Sequence, residues 1–234
     1  MSNQPTARNV PQHIGIIPDG NRRWAKANGL PSLEGHRRGV EVIIGVANTA
    51  LDAGVEYITF YAFSSENWRR ASSEVKYLMD LFYLIATKDV DELHEKGIQF
   101  RIIGSRQGLS TKLLKAFDEA TAKTRNNSRG VMSLCLNYGG DQELADAAAA
   151  IVREGISADQ VTPEVVGAHL YEPDIPPVDL VIRTSGEQRT SGFMLWRAAY
   201  AEFVFVEKHW PDFDSNDLIL ALNEFSRRHR RLGA

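Results

Sequence analysis

The sequence predicts a single α/β domain: a central, mostly parallel six-stranded sheet flanked by helices. Short apolar runs alternate with longer segments in which apolar residues recur at helical spacing, a pattern typical of a parallel sheet covered by helices. No repeat, low-complexity stretch or linker divides the 234 residues. We therefore expect one domain over residues 13–234, preceded by a flexible segment over 1–12.

Six apolar runs are predicted as strands. They are HIGII (13–17), YITFYAF (57–63), QFRIIG (99–104), VMSLCLN (131–137), VDLVIR (178–183) and EFVFVE (202–207). Their lengths suit strands rather than helices. The predicted helices cover 35–54, 73–96, 110–125, 141–154, 163–170 and 215–230. In the first of them, Val40, Ile43 and Ala47 share one face, and Gly54 supplies a stop signal.

Composition excludes several classes of protein. The net charge of −3 is a poor match for nucleic acid, which rewards basic surfaces. The one cysteine, Cys135, allows no internal disulfide and fits a reducing compartment. No stretch reaches the roughly 20 apolar residues of a membrane span, and the first residues lack the apolar core of a signal peptide. We expect a cytoplasmic protein, with at most peripheral membrane contact through RRHRR (227–231).

Polar clusters follow three of the predicted strands. They are PDGNRR (18–23), SSENWRR (64–70) and RTSGEQRTSG (183–192). In open α/β sheets, ligands bind beyond the carboxyl ends of the strands. The three clusters therefore predict one shared site.

The first cluster combines a carboxylate, a glycine and arginines. Asp19 could hold Mg²⁺, which takes one or two carboxylates together with substrate phosphates. Gly20 allows backbone N–H groups to approach an anion, and Asn21, Arg22, Arg23 and Trp24 follow it. An ordinary Asp-Gly turn that caps a helix is equally compatible with this spacing. Nearby, His36 precedes Arg37 and Arg38, for which a solvated basic face is the better interpretation.

The other clusters add hydroxyl, amide and guanidinium groups. The second cluster is a predicted loop that contains Ser64, Asn67 and Arg70. For Trp68, in the same loop, a packing role is favoured over a chemical one. In the third cluster, Arg183, Arg189 and Ser191 suit a diphosphate, which arginine binds in bidentate fashion. Glu187 would orient these arginines, and Glu202 is a second candidate carboxylate for Mg²⁺. A surface loop rich in arginine remains the alternative, but a diphosphate site beside apolar strands suits an isoprenoid.

Five ordered motifs resemble the cis-prenyltransferases, the undecaprenyl diphosphate synthase family. They are PDGNRRWAK with GH at 35–36, FYAFSSENW with Arg70, LNYGG, DLVIRTSGE through YAE, and WPDF. Together they extend from about residue 13 to residue 233. The resemblance implies a cis-prenyltransferase catalytic domain over 13–234, a homodimer, and Mg²⁺-dependent joining of two isoprenyl diphosphates.

The resemblance also assigns roles to individual residues. Asp19 would coordinate the metal, and Asn21 would both hold the allylic diphosphate and assist proton removal. Around that diphosphate it places Gly20, Arg22, Arg23, Trp24, His36, Ser64, Asn67, Trp68 and Arg70. Arg183, Arg189 and Ser191 would bind the second diphosphate, with Glu187 in support. Glu202 would help to bind the metal from the second subunit's side.

Departures from the bacterial pattern bear on the reaction. Pro18 stands where methionine is usual, Ser32 where an arginine is usual, and Asp141 follows NYGG where an arginine is usual. These changes lead us to favour irregular head-to-middle, lavandulyl-type coupling of dimethylallyl or geranyl diphosphate. Regular head-to-tail elongation with isopentenyl diphosphate is the alternative.

Rival classes fit less well. A non-catalytic partner subunit would lack the metal-binding Asp motif, and a nucleotide-binding regulator would need a Gly-rich or Walker loop that is absent. A transferase onto a non-isoprenoid acceptor stays open.

Overall fold

The computed structural model describes residues 10–228. Residues 1–9 of the predicted flexible segment, and the last residues of the predicted final helix, lie outside this range. Within it, the six strands form one sheet in the order β3-β4-β2-β1-β5-β6. Every pair of neighbouring strands is parallel, so the described sheet is wholly rather than mostly parallel.

The strands match the six predicted runs. They are β1 (His13–Ile17), β2 (Tyr57–Ser64), β3 (Ile98–Ile103), β4 (Gly130–Tyr138), β5 (Leu180–Arg183) and β6 (Glu202–Phe205). All five residues of β1 are buried, which is the signature of a central strand covered on both faces. The predicted fifth and sixth strands are longer than β5 and β6, because their apolar runs continue beyond the paired residues.

Eight α-helices flank the sheet in the described part of the chain. They are α1 (Asn21–Ala27), α2 (Ser32–Asp52), α3 (Ser72–Leu84), α4 (Val90–Glu95), α5 (Thr111–Thr124), α6 (Gly140–Arg153), α7 (Pro163–Ala168) and α8 (Ser215–Arg227). The predicted helix over 73–96 is α3 and α4 joined by a π-helical turn over Ile85–Asp89. Helix α1 was not predicted, because its seven residues, NRRWAKA, show no apolar stripe.

Two apolar clusters fill the space on either side of β1. Ile14 and Ile16 belong to the larger cluster, with residues of α2, α3 and α5. Ile17 belongs to the smaller one, with Tyr138 and Phe193. This alternation of side chains fixes the register of β1, and the register in turn places the loop after Ile17 beside the ends of β2 and β5.

Candidate active site

The three polar clusters meet at one edge of the sheet. Strands β2, β1 and β5 are neighbours, and their carboxyl ends open into one cavity of about 1430 Å³. Most of the predicted site residues line it: Asp19, Gly20, Asn21, Arg22, Arg23, His36, Ser64, Asn67, Arg70, Arg183 and Ser191. The topology of the sheet therefore brings together residues that are up to about 170 positions apart in the chain.

Asp19 is fixed by its backbone and by its carboxylate. Its N–H donates to Thr184 Oγ1 at 2.9 Å, and the same hydroxyl donates to its carbonyl oxygen at 2.7 Å. One carboxylate oxygen accepts from Gly20 N–H at 2.7 Å and from Arg23 at 3.1 Å, and the other accepts from Arg183 at 2.9 Å. Burial raises the pKa of Asp19, but these two guanidinium groups outweigh it and hold that pKa below its ordinary value. The group is ionised at neutral pH.

Gly20 begins α1 with φ of 101°, in the left-handed region that favours glycine. An ideal Cβ at this position would lie 2.6 Å from Ser185 Oγ and 2.8 Å from His209 Nδ1. Asp19 and Gly20 therefore form a turn at the start of a helix and also line the cavity. The two interpretations of this Asp-Gly pair are compatible.

Arg183 connects the first cluster to the third. Its side chain is only 4% exposed, and it donates to Asp19, to Ser191 Oγ at 2.9 Å and to the carbonyl oxygen of Arg189. Its Nε has no partner, and neither has Asn21 Oδ1; within the described chain these are the two buried side-chain polar atoms without a hydrogen bond. Buried polar atoms are nearly always paired, so these two, both on residues that line the cavity, are exceptions concentrated at this site.

Glu187 orients two arginines from just outside the cavity lining. It accepts from Arg23 at 2.7 Å and also from Arg189. These hydrogen bonds, first that of Arg189 and then that of Arg23, lower the pKa of Glu187. Arg189 does not line the cavity and is 57% exposed.

A second wall of the cavity carries Arg22, His36 and Arg70, which we call the basic wall. Its His36 and Arg70 both donate to Glu74, a residue that sequence reasoning missed. The available signal was the spacing of Arg70 and Glu74, four residues apart at the start of a helix. Beside the wall, Asn67 Oδ1 accepts from the N–H of Ser64 and closes a 3₁₀ turn over Ser65–Arg69.

Helix α1 reaches this site because two glycines of α2 allow close approach. An ideal Cβ on Gly35 would lie 2.0 Å from the carbonyl oxygen of Asn21, and one on Gly39 would lie 2.6 Å from Asn21 Oδ1. The sequence GHRRG is thus a packing motif as well as the source of His36. As predicted, Arg37 and Arg38 are about half exposed and pair with acidic residues of their own helix.

Besides Glu187 and Arg189, three more predicted residues lie outside the cavity lining. Trp24 donates to Asp212 at 2.7 Å and Trp68 donates to Asn137 at 2.6 Å, and neither lines the cavity. Glu202 pairs with Leu180 at the amino end of β5, roughly 10 Å along the sheet from the cavity edge, and it accepts from Arg228. One chain therefore does not bring Glu202 to Asp19.

The residues of this cavity fit a hard cation that is bound partly by the protein and partly by the phosphate groups of a substrate. The described residues contain no group of three or more His, Cys, Asp or Glu side chains able to hold a metal. Asp19 is a single ionised carboxylate in a cavity rich in arginine. That composition suits Mg²⁺ bound by one carboxylate and by phosphate oxygens.

Away from the charged groups, the cavity is apolar. Val40 and Ile43 of α2 and Leu78 and Phe82 of α3 contribute to its lining. The fold and the cavity thus define a class: an all-parallel α/β protein with an anion site at the carboxyl ends of its strands and a hydrocarbon-lined space beside it.

Comparison with known proteins identifies the family. Residues 17–233 match the prenyltransferase family described as putative undecaprenyl diphosphate synthase, and the chain belongs to that family. It is 46% identical to an isoprenyl transferase of Agrobacterium fabrum, over 98% of this chain and 94% of that protein. It is 44% identical to the trans,polycis-polyprenyl diphosphate synthase ((2Z,6E)-farnesyl diphosphate specific) of Thermobifida fusca, over 96% and 81%.

A solved structure shows the same architecture. The lavandulyl diphosphate synthase of Lavandula x intermedia, in complex with dimethylallyl diphosphate, matches with a TM-score of 0.92 and 35% identity, covering 96% of this chain and 99% of that one. The chain is accordingly a prenyltransferase, an isoprenyl diphosphate synthase with the cis-prenyltransferase fold. Within the described residues, no helix is long and apolar enough to cross a membrane.

Proposed function

We propose that the enzyme elongates an allylic diphosphate head-to-tail with isopentenyl diphosphate, in a Mg²⁺-dependent reaction. The observation that supports this proposal is one cavity lined by two groups of polar and basic residues, which Arg183 connects through its hydrogen bonds to Asp19 and Ser191. The Asp19 cluster (Asp19, Gly20, Asn21 and Arg23) would hold the allylic donor. The Arg183 cluster (Arg183 and Ser191 of the cavity lining, with Arg189 from the exposed loop beside it) would hold the diphosphate of the acceptor.

The residues of the Asp19 cluster suit ionisation of the donor. As the allylic C–O bond breaks, its electron pair leaves with the diphosphate, and the charge that develops there is met by fixed N–H donors and guanidinium groups. Bound Mg²⁺ would supply further neutralisation of that charge. The acceptor's double bond then forms the new C–C bond, and the resulting cation would lose a proton to a phosphate oxygen of the departing pyrophosphate, with Asn21 close by to orient that group.

The apolar half of the cavity suits the hydrocarbon chain. It is lined by Leu78 and Phe82 of α3 and by Val40 and Ile43 of α2. These walls exclude water that would otherwise capture the allylic cation. They also give the lengthening hydrocarbon chain an apolar environment, so that its own surface is removed from water.

Regular elongation replaces the head-to-middle preference drawn from the sequence. Its support is the set of curated relatives, which are isoprenyl transferases and polyprenyl diphosphate synthases at 41–47% identity. The lavandulyl enzyme is 35% identical. Pro18, Ser32 and Asp141, the three departures from the bacterial pattern that favour head-to-middle coupling, all line the cavity. Head-to-middle coupling therefore stays as the second candidate.

Product analysis tests the proposal. Purified protein with Mg²⁺ receives dimethylallyl, geranyl or farnesyl diphosphate, with and without isopentenyl diphosphate, and the dephosphorylated products are separated by gas chromatography and identified by mass spectrometry. We expect linear alcohols with cis double bonds that form only when isopentenyl diphosphate is present. A branched alcohol from dimethylallyl diphosphate alone would establish head-to-middle coupling instead.

We also propose a homodimer, on the evidence of Glu202 and an exposed apolar face. Glu202 lies at the far end of β6 and would serve a cavity only in a second copy. Large apolar side chains remain exposed in the adjacent segment: Leu195 and Trp196 at 39% and 38%, and Tyr200 at 79%. Sedimentation equilibrium should give twice the chain mass; a monomer at micromolar concentration would contradict this assignment.

A further inference from the structure

Glu74 lies behind the basic wall rather than on the cavity surface. It belongs to the first turn of α3, and its side chain is 13% exposed. A single carboxylate oxygen accepts from His36 Nε2 at 3.0 Å and from Arg70 at 3.1 Å. Both donors line the cavity, whereas Glu74 does not. One acid thus holds two cavity residues that come from different elements.

The protonation states of Glu74 and His36 determine which group donates and which accepts in their hydrogen bond. Burial raises the pKa of Glu74, but the His36 hydrogen bond and the charges of Arg70 and Arg22 lower it by more, so the carboxylate is ionised. Burial is the main cause that lowers the pKa of His36 below its ordinary value. A neutral imidazole that donates through Nε2 has its other ring nitrogen free to act as an acceptor. The carboxylate therefore selects one tautomer of His36 and one orientation of Arg70.

We propose that Glu74 is a positioning residue for the donor diphosphate, acting through Arg70 and His36. The inference rests on the proposed function, because it assigns the basic wall to the allylic donor. Arg22, Arg70 and His36 converge from α1, from the segment after β2 and from α2. Without the carboxylate, the two guanidinium groups would repel one another and Arg70 would regain its rotamer freedom.

The proposal predicts a loss of turnover without a loss of diphosphate binding. Removing a negative charge near an anion site strengthens the general attraction for diphosphate. Losing the fixed orientation of Arg70 weakens stabilisation of the leaving group only as charge develops in the transition state. The signature of a positioning role is therefore a lower kcat without weaker diphosphate binding. A merely structural role would lower both or neither.

The test compares Glu74→Gln with Asp80→Asn. Gln keeps the length and one acceptor oxygen but removes the charge. Asp80 lies on the same helix, is exposed and is remote from His36, so it controls for loss of one negative charge from α3. We expect Glu74→Gln to lower kcat about tenfold, with the Kd of inorganic pyrophosphate by calorimetry within about threefold of wild type. Asp80→Asn should leave both unchanged.

The route through Arg70 is tested by a double-mutant cycle. In an Arg70→Ala background, Glu74→Gln should lower kcat by less than about threefold, since its main partner is already absent. An unchanged kcat in Glu74→Gln, a parallel loss of pyrophosphate affinity, or a full tenfold effect in the Arg70→Ala background would each overturn the proposal.

Two further measurements distinguish a folding defect from the loss of a positioning role. Thermal unfolding of each variant detects a folding defect, and Glu74→Asp, which keeps the charge but shortens the reach, should then give an intermediate loss of kcat. Wild-type protein that neither binds pyrophosphate nor couples isoprenyl diphosphates would overturn the proposed function itself. Normal wild-type turnover with an inert Glu74 would overturn the positioning role alone.

Discussion

Asp19 forms ion pairs with both Arg23 and Arg183. Asp19 Oδ2 accepts one hydrogen bond, from Arg183, so this oxygen keeps acceptor capacity that a cation could use. The arrangement keeps a buried arginine and an ionised acid compensated in the resting protein, which matters because an unpaired buried charge is costly. At the scale of single residues, the site is therefore held in place by the same charges that would bind substrate.

Asp19→Asn should remove most activity while the chain still folds. We expect kcat to fall by at least about 100-fold, because the amide supplies no charge for a cation and a weaker contact to Arg183. Calorimetry should show weaker Mg²⁺ binding in the presence of pyrophosphate, with an unchanged far-ultraviolet circular dichroism spectrum. Asp118→Asn, on an exposed ion pair, is the control. Appreciable residual turnover would contradict the metal assignment.

Gly20→Ala should destabilise the protein and impair the site together. The added methyl would meet Ser185 and His209, in a backbone conformation that L-residues rarely adopt. Gly29→Ala is the matched control, since Gly29 has φ of 67° and nothing lies within 4 Å of the place that its Cβ would take. We expect Gly20→Ala to lower the free energy of unfolding by about 1–3 kcal/mol more than Gly29→Ala. Equal losses in denaturant titrations would show that contact at Gly20 is unimportant.

Sequence reasoning located the cavity residues better than it located their supports. The residues after β1, β2 and β5 were predictable, because a parallel sheet gathers the carboxyl ends of its strands. Glu74 was not, since an acid in the first turn of a helix usually faces solvent and favours the helix dipole. The family resemblance placed Trp24 and Trp68 at the site, yet their indole N–H groups donate to Asp212 and Asn137; for Trp68 this agrees with the packing role that its loop position favours.

At the scale of elements, the contact between α1 and α2 decides whether the site exists. Helix α1 has seven residues, too few to be stable alone in water, and its position depends on packing against Gly35 and Gly39. The same dependence explains why α1 escaped prediction. Its sequence carries no periodic apolar face, and the information that fixes it lies in the glycines of the next helix.

Gly35→Ala should separate these two helices. A Cβ at Gly35 would lie 2.0 Å from a backbone oxygen, whereas nothing lies within 4 Å of one at Gly45, in the same helix. We expect Gly35→Ala to cost about 1–3 kcal/mol of unfolding free energy and to impair donor binding. Gly45→Ala should instead stabilise by about 0.5–1 kcal/mol, because alanine is the better helix former. Denaturant unfolding measures both, and a stabilised Gly35→Ala protein would refute the close contact.

At the scale of the whole molecule, a buried histidine links stability to pH. His13 is fully buried in β1, with Nδ1 2.8 Å from the carbonyl oxygen of Pro176 and Nε2 2.8 Å from Thr59 Oγ1. Burial is the main cause that lowers its pKa from 6.5 to about 4. The folded state therefore resists a proton that the unfolded chain accepts.

Stability should fall as pH decreases from about 6.5 to about 4. The contribution of His13 is fully present above its unfolded pKa, and between pH 7 and pH 5 it should diminish by about 2 kcal/mol. Urea titrations at the two pH values measure the loss. Since carboxylates also titrate in acid, the decisive quantity is the difference from His13→Gln, whose pH dependence should be shallower by that amount. Equal slopes for the two proteins would rule out His13 as the cause.

The position of β1 in the sheet also means that, during synthesis, this strand is made long before one of its two neighbours. One neighbour of β1 is β5, and the contact from His13 to Asp179 spans 166 residues. At translation rates of about 5–20 residues per second, β1 waits roughly 8–33 s for that neighbour. During this interval the apolar strand HIGII has an open edge, and Asp19 has neither Thr184 nor Arg183 to hold it. A nascent chain of this enzyme would thus carry a central apolar strand with one edge unprotected through most of its synthesis, which makes β1 the segment we expect chaperones to shield.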